Sequence, residues 1–286
     1  MKLKEIKKLL KKYNIYPTRR LGQNFLIDEG ALRKIIEAAE LSKDDVVLEV
    51  GPGIGNLTME LAKRVKKVIA IEKDQKMCKI LKELLEGWNV RNVEIVNKDI
   101  LKLDPKTYHL KPKTYKVVAN IPYYLTSPLI RKFLENTGVR PLQMILMVQK
   151  EVAQRICAKP PAMSILAVSV QFYARPEIVS YVSKKSFWPQ PKIDSAIIKI
   201  ASRRFCVPVS RRFRERFFRI VKAGFSQPRK QLINNLAKGL ALSLPNGLKV
   251  DKEVIRNWLL ENNIQPTQRA ETLKIEDWIN LSKTIK

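Results

Sequence analysis

Asn120-Ile121-Pro122-Tyr123 brings a primary amide, a proline and an aromatic ring together within four residues. The amide oxygen and a backbone carbonyl can each accept a hydrogen bond from a planar NH2 group. The ring can stack on a nucleobase. The proline fixes φ and removes an N–H, so the turn is stiff. These are the parts needed to hold an exocyclic amine for alkylation. Taken alone, the four residues also fit an ordinary strand that ends in a proline turn.

A second cluster starts at Glu49-Val50-Gly51-Pro52-Gly53-Ile54-Gly55. Glycines let the backbone adopt positive φ and approach a ligand closely. The spacing is G-x-G-x-G, which differs from the G-x-G-x-x-G of dinucleotide enzymes, and no Gly-Lys-Ser/Thr marks a phosphate-binding P-loop. A nucleoside-containing ligand fits such a turn; so does a turn that serves only packing. Glu72 stands 21 residues past Gly51. A carboxylate at that distance can accept both hydroxyls of a ribose; the plain alternative is a solvated charge. Asp99 is a candidate acceptor for the adenine amine of the same ligand, or a cap for the turn from Ile100 onward.

These residues need a scaffold that brings them to one edge. Apolar runs at Val46 to Val50, Lys67 to Ile71, Val93 to Val96, Tyr115 to Ala119 and Met144 to Val148 read as buried strands. Helical patterns separate them, at about Asn56 to Arg64, Gln75 to Leu85 and Pro128 to Glu135. Asp28 is placed to cap a helix over Glu29 to Ala39. Such alternation predicts an α/β fold with a parallel sheet covered on both faces. Gly51, Glu72, Asp99 and Asn120 then sit at the C-terminal ends of four strands, the edge where open parallel sheets bind ligands. Ser164 to Tyr173 fits either helix or strand. Later strands are expected at Glu177 to Val182 and Ala196 to Ile200, on either side of Phe187-Trp188-Pro189-Gln190-Pro191-Lys192.

The ends of the chain differ from its middle. Leu3, Ile6, Leu9, Leu10 and Tyr13 make a short amphipathic helix with lysines between them. After a linker at about Ala201 to Pro208 the pattern is helical only. Phe213, Phe217, Ile220, Val221 and Phe225 share one face there. Arg211, Arg212, Arg214, Arg216 and Arg219 take the other positions, and Arg229 and Lys230 follow. The division expected is 1–204 for the α/β domain and 205–286 for a small helical one.

Composition narrows the function. The chain has 286 residues, 45% hydrophobic, enough for a real core. No apolar run is long enough to span a bilayer, and the lysine-rich start lacks the apolar stretch of a secretory signal. Cys78, Cys157 and Cys206 are scattered, with no CxxC spacing; this fits a reducing cytoplasm without a disulfide framework. His109 is the one histidine, which argues against Ser-His-Asp catalysis and against a His-ligated metal. The formal charge is +28. A polyanionic partner, RNA or DNA, is the physical expectation.

The chain resembles the ribosomal RNA adenine dimethylases over nearly its whole length. The likeness is carried by Leu21-Gly22-Gln23-Asn24-Phe25-Leu26, Glu49 to Gly53, Glu72-Lys73-Asp74, Asn120 to Tyr123, Gln149-Lys150-Glu151-Val152 and Phe187 through Ser195. It implies a Rossmann-like, S-adenosylmethionine-dependent methyltransferase domain with a small C-terminal all-helical domain and no metal. By resemblance, Asn24, Leu26, Gly51, Glu72, Asp99 and Asn120 contact the methyl donor. Asn120 and the Pro122 (or Ile121) carbonyl hold the target amine, Tyr123 stacks on the base, and Phe187 is the candidate for its other face. Tyr124 is expected to serve packing. Arg211, Arg212, Arg214, Arg216, Arg219, Arg229 and Lys230 form the expected RNA clamp.

Within that family, one branch dimethylates two adjacent adenosines near the 3′ end of small-subunit (16S) rRNA; another modifies large-subunit RNA and gives macrolide resistance. A third lineage keeps the fold as a non-catalytic nucleic-acid-binding factor. Phe225-Ser226-Gln227-Pro228-Arg229-Lys230-Gln231-Leu232 and Arg269-Ala270-Glu271-Thr272-Leu273 resemble the small-subunit branch. Pro228 stands where an arginine is usual, and Pro161-Ala162-Met163-Ser164 replaces a segment that often carries an aromatic residue and glycine. The resemblance implies a monomeric cytoplasmic enzyme that acts on small-subunit rRNA or the immature small ribosomal subunit and contributes to its biogenesis.

Overall fold

The computed structural model describes residues 1, 3–17, 23–135, 137–203, 210–241 and 251–285. Arg19, Arg20, Leu21, Gly22, Cys206 and residues 204–208 of the expected linker lie outside them. In chain order the elements are α1 Leu3–Lys12, β1 Phe25–Leu26, α2 Glu29–Ala38, β2 Val46–Val50, α3 Asn56–Ala62, β3 Lys67–Glu72, α4 Gln75–Gly87, β4 Val93–Asn97 and β5 Tyr115–Asn120. There follow α5 Thr126–Glu135, β6 Gln143–Gln149, α6 Lys150–Ile156, α7 Ile165–Tyr173, β7 Ala174–Val182, β8 Phe187–Trp188 and β9 Ser195–Ser202. The last four are α8 Arg211–Gly224, α9 Leu232–Ala241, α10 Lys252–Glu261 and α11 Ile275–Thr284.

Contacts divide the chain into two units, Met1–Ala153 with Ala174–Ser202, and Gln154–Tyr173 with Arg203–Lys286. The sequence division at 204/205 assigned 154–173 to the α/β domain. Its helix α7 groups instead with the C-terminal helices. The reason is aromatic packing: Phe172 stacks on Phe217 at 4.1 Å between ring centroids and meets Phe218 edge-on at 5.5 Å.

The first unit is built on a seven-stranded sheet of order β4-β3-β2-β5-β6-β9-β7. Strands β2 to β6 pair in parallel; β9 runs antiparallel to β6, and β7 antiparallel to β9. The apolar runs follow from this. Val117, Val118, Ala119, Ile145, Leu146 and Met147 are fully buried because helices cover both faces of a parallel sheet. Strand order reverses between β2 and β5, which makes the crevice beyond their carboxyl ends the expected ligand site. Gly51 follows β2 directly, and Asn120 is the last residue of β5.

Two smaller features shape that crevice. Phe25 and Leu26 pair with Trp188 and Phe187 as a two-residue antiparallel ribbon, which joins segments far apart in sequence. Helix α1 buries Ile6 and Leu10 against Phe25, Ile54 and Met77 while its lysines stay in water. Asp28 caps α2 as expected, accepting from the amides of Gly30 at 2.8 Å and Ala31 at 3.1 Å. In the second unit α8 buries Phe217, Ile220 and Val221, and Ser210 caps it by accepting from Phe213 N at 3.1 Å. Gly224 permits close approach of Trp278: a Cβ there would lie 2.4 Å from the indole.

Candidate active site

The four strand ends predicted to converge do so in one cavity. Asn24, Leu26, Gly51, Glu72, Asp99, Asn120, Pro122, Tyr123 and Phe187 all line it. Gly51 and Gly53 hold φ of +69° and +56°, and Gly55 +85°. A side chain at Gly55 would meet Leu81 Cδ1 at 2.5 Å as well as a left-handed backbone. This turn is therefore glycine by geometry.

Glu72 ends β3 and is fixed by two backbone amides, accepting from Gly53 N at 3.2 Å and Asp74 N at 2.9 Å. Burial raises its pKa against the pull of these amides. A carboxyl held in this way keeps lone pairs for a further donor pair such as vicinal hydroxyls. Asp99 takes Leu101 N at 2.9 Å on one oxygen and Lys73 Nζ at 3.0 Å on the other. These partners, the Leu101 amide first, hold its carboxyl below the usual range. It caps the turn from Ile100 onward and also lines the cavity.

The amide corner has a defined polarity. Asn120 Nδ2 donates to the carbonyl of Asn24 at 3.2 Å. With one N–H engaged there, the side chain still presents its oxygen as an acceptor for a ligand amine. Of the two backbone carbonyls considered, that of Pro122 already accepts from Leu125 N at 2.9 Å, closing the turn. Among the described residues none donates to the Ile121 carbonyl. The Ile121 carbonyl thus keeps its acceptor capacity, while the Pro122 carbonyl is engaged in the turn that its ring stiffens.

The aromatic residues divide differently from the sequence reading. Tyr123 is half-buried and its hydroxyl shares a hydrogen bond with Ser195 Oγ at 2.9 Å, which fixes the ring; burial raises its pKa. Phe187 is 3% exposed and packs with Leu26, Val118 and Ile197 in the core, so it offers the cavity a wall rather than an open face. Tyr124, expected to pack, is 53% exposed and lines the cavity. A one-residue step around a single 3-10 turn, Tyr123–Leu125, points the two side chains in different directions and accounts for this contrast.

Sequence reasoning missed Glu49. It is 1% exposed, lines the same cavity, and among the described residues its Oε2 has no hydrogen-bond partner. Burial pushes this carboxyl up to about 8, and the charge of Glu72 adds in the same direction. The folded chain therefore binds a proton that the unfolded chain releases near 4.5. Stability should fall as pH rises between those two values, by at most about 1.4 kcal/mol per pH unit. Glu49→Gln removes the titration while keeping the shape. Denaturant titrations across this window should show the wild type losing stability relative to the variant; parallel pH profiles would mean that Glu49 carries no extra proton.

The arginine face of α8 is less uniform than its sequence. Arg211, Arg212 and Arg219 are exposed, as are Arg229 and Lys230 in the turn after the helix. Arg211 is tied to Glu215 at 2.8 Å. Arg214 and Arg216 are half-buried, and Arg216 lies over the Phe213 ring at 5.5 Å. Among the described residues no helix is long and apolar enough to cross a membrane.

The sequence model of the family "Ribosomal RNA adenine dimethylase" matches residues 17–286. The chain belongs to that family. This dimethylase is 42% identical over 277 residues to the ribosomal RNA small subunit methyltransferase A of Dehalococcoides mccartyi (strain CBDB1), covering 97% of this chain and 91% of the relative. Its structure is similar to a dimethyladenosine transferase from Plasmodium falciparum, with a TM-score of 0.74 and 28% identity over 89% of this chain and 94% of the other. It is also similar to the 23S rRNA methyltransferase ErmE, with a TM-score of 0.73 and 29% identity over 91% and 98%. The Rossmann-like dimethylase fold with its C-terminal helices thus stands as expected from the motifs.

Proposed function

We propose that this dimethylase transfers methyl groups from S-adenosylmethionine to N6 of two adjacent adenosines near the 3′ end of small-subunit (16S) rRNA, giving dimethyladenosines. The observation that carries the reading is the Asn120 amide. One of its N–H groups is engaged by Asn24 and its oxygen is presented as an acceptor, in the same cavity as Glu72. The residues present fit the methyl donor. Gly51 and Gly53 give a turn of positive φ, Glu72 suits the ribose hydroxyls, Asp99 the adenine amine, and Asn24 and Leu26 close the side formed by β1. When bound, the sulfonium supplies an electrophilic methyl group.

The adenine N6 lone pair is delocalised into the ring and is a poor nucleophile. Asn120 Oδ1 and the Ile121 carbonyl accept its two N–H bonds. They hold the nitrogen in place and favour a tetrahedral geometry as the C–N bond forms. Tyr123 stacks on the extruded base, its ring fixed through Ser195, and Phe187 forms an apolar wall. The proton leaves N6 after transfer, to water. A second transfer requires the monomethyl amine to rotate and present its remaining hydrogen.

The small-subunit choice is supported by the 42% identity to a small-subunit methyltransferase over 97% of this chain, and by the exposed Arg229 and Lys230. With the exposed arginines of α8 these would contact RNA phosphates, a term that a charge of +28 strengthens. The protein would act as a cytoplasmic monomer on the immature small subunit. The test is to incubate it with labelled donor and unmethylated small subunits, then map the label by nuclease digestion and mass. The reading expects two methyls on each of two neighbouring adenosines. Label on large-subunit RNA, or none, would overturn it.

A further inference from the structure

Tyr124 is the residue of the Asn120–Tyr124 corner whose expected packing role its exposure removes. Its ring is 53% exposed although it lines the cavity. Among the described residues it has no ring contact, and it has no hydrogen bond. Its neighbour Tyr123 is half-buried and anchored. Leu101, a second exposed apolar side chain at 38%, lines the same cavity, as does the exposed Lys98, whose ammonium group suits a phosphate. A wet aromatic ring beside a base pocket, with a lysine lining the same cavity, is the arrangement by which proteins hold unstacked nucleotides.

We propose that Tyr124 is the stacking platform for the nucleotide adjacent to the target, so that the chain holds two neighbouring adenosines out of their stack at once. One adenine enters the Asn120 pocket against Tyr123 while the next rests on Tyr124. This deepens the reading above and rests on it. It explains on physical grounds how two adjacent bases become substrates in one binding event: each is the other's neighbour, and the pair exchanges places between the pocket and the platform.

The experiment uses the full chain, its Tyr124→Ala, Tyr124→Leu and Tyr124→Phe variants, and an RNA fragment of the small-subunit 3′ region with 2-aminopurine next to one target adenosine. Wild type and Tyr124→Phe should quench the probe on binding, since the ring alone stacks. Tyr124→Ala and Tyr124→Leu should leave it bright and, with the same RNA carrying both adenosines unsubstituted, raise KM for RNA about tenfold and accumulate RNA with a single modified adenosine. Donor affinity by calorimetry should be equal in all four, which also shows that the variants are folded. Equal quenching by all four, rescue by Tyr124→Leu, or a loss confined to donor affinity would overturn the platform. Wild-type protein that methylates no small-subunit RNA would remove the underlying reading and the platform with it, whereas active wild type with an unaltered Tyr124→Ala removes the platform alone.

Discussion

Asn120→Ala should slow methyl transfer to small-subunit RNA by about a thousandfold or more, with RNA affinity nearly unchanged. The magnitude follows from what the amide does. Removal of one preorganised polar group at a reacting centre costs about two to three decades in rate. Here the same side chain also positions the nucleophile, and it is itself held by the carbonyl of Asn24 at 3.2 Å. Asn120→Asp is the sharper control. A carboxylate keeps the acceptor but cannot donate to Asn24, so the side chain loses its orientation while its size stays the same. Single-turnover rates separate the effect from product release. Turnover within a few-fold of wild type in Asn120→Ala would remove the assignment.

The second large effect is expected at Glu72. Its two oxygens organise the glycine turn through Gly53 N and the start of α4 through Asp74 N. The account adds the ribose of the donor as its ligand. Glu72→Ala then loses the acceptor for two hydroxyls and takes from the part-buried Gly53 and Asp74 amides the oxygens that order the turn. Donor affinity should fall about a hundredfold or more. Glu72→Gln keeps one acceptor oxygen and should fall between the two. Calorimetry with S-adenosylmethionine, or with its demethylated product, reads this directly. An unchanged Kd in Glu72→Ala would mean that the donor does not bind at the end of β3.

The rim of the sheet was legible because strand ends in a parallel sheet are set by simple pattern. An apolar run that ends in Gly51, Glu72 or Asn120 puts that residue at the carboxyl edge wherever the strand lies in the sheet. Asp28 as a helix cap was legible for the same local reason. What pattern hides is direction and depth. Tyr123 and Tyr124 look alike in sequence, yet a single 3-10 turn fixes one through Ser195 and leaves the other in water. Phe187 was the candidate for the other face of the base, but its ribbon with Leu26 draws it to 3% exposure. A two-residue ribbon across some 160 positions carries no periodicity to read.

Glu49 was passed over because an acid at the penultimate place of a strand usually turns outward, whereas β2 lies in the sheet's interior between β3 and β5. Helix α7 was ambiguous for the opposite reason: Val168, Val170 and Phe172 are apolar on several sides, and its partners in α8 lie some 45 positions on. The arginines of α8 read as one charged face, but a helix that also buries Phe217, Ile220 and Val221 must tuck flanking side chains such as Arg216 against its own aromatic residues.

All of this depends on donor and target base sharing the crevice between the ends of β2, β3 and β5. A crystal structure of the protein soaked with S-adenosylmethionine tests it most directly. The account predicts the ribose hydroxyls on Glu72, the methyl group facing the Asn120 oxygen and open space for a purine against Tyr123. A donor bound away from Glu72, or one whose methyl points away from Asn120, would contradict it.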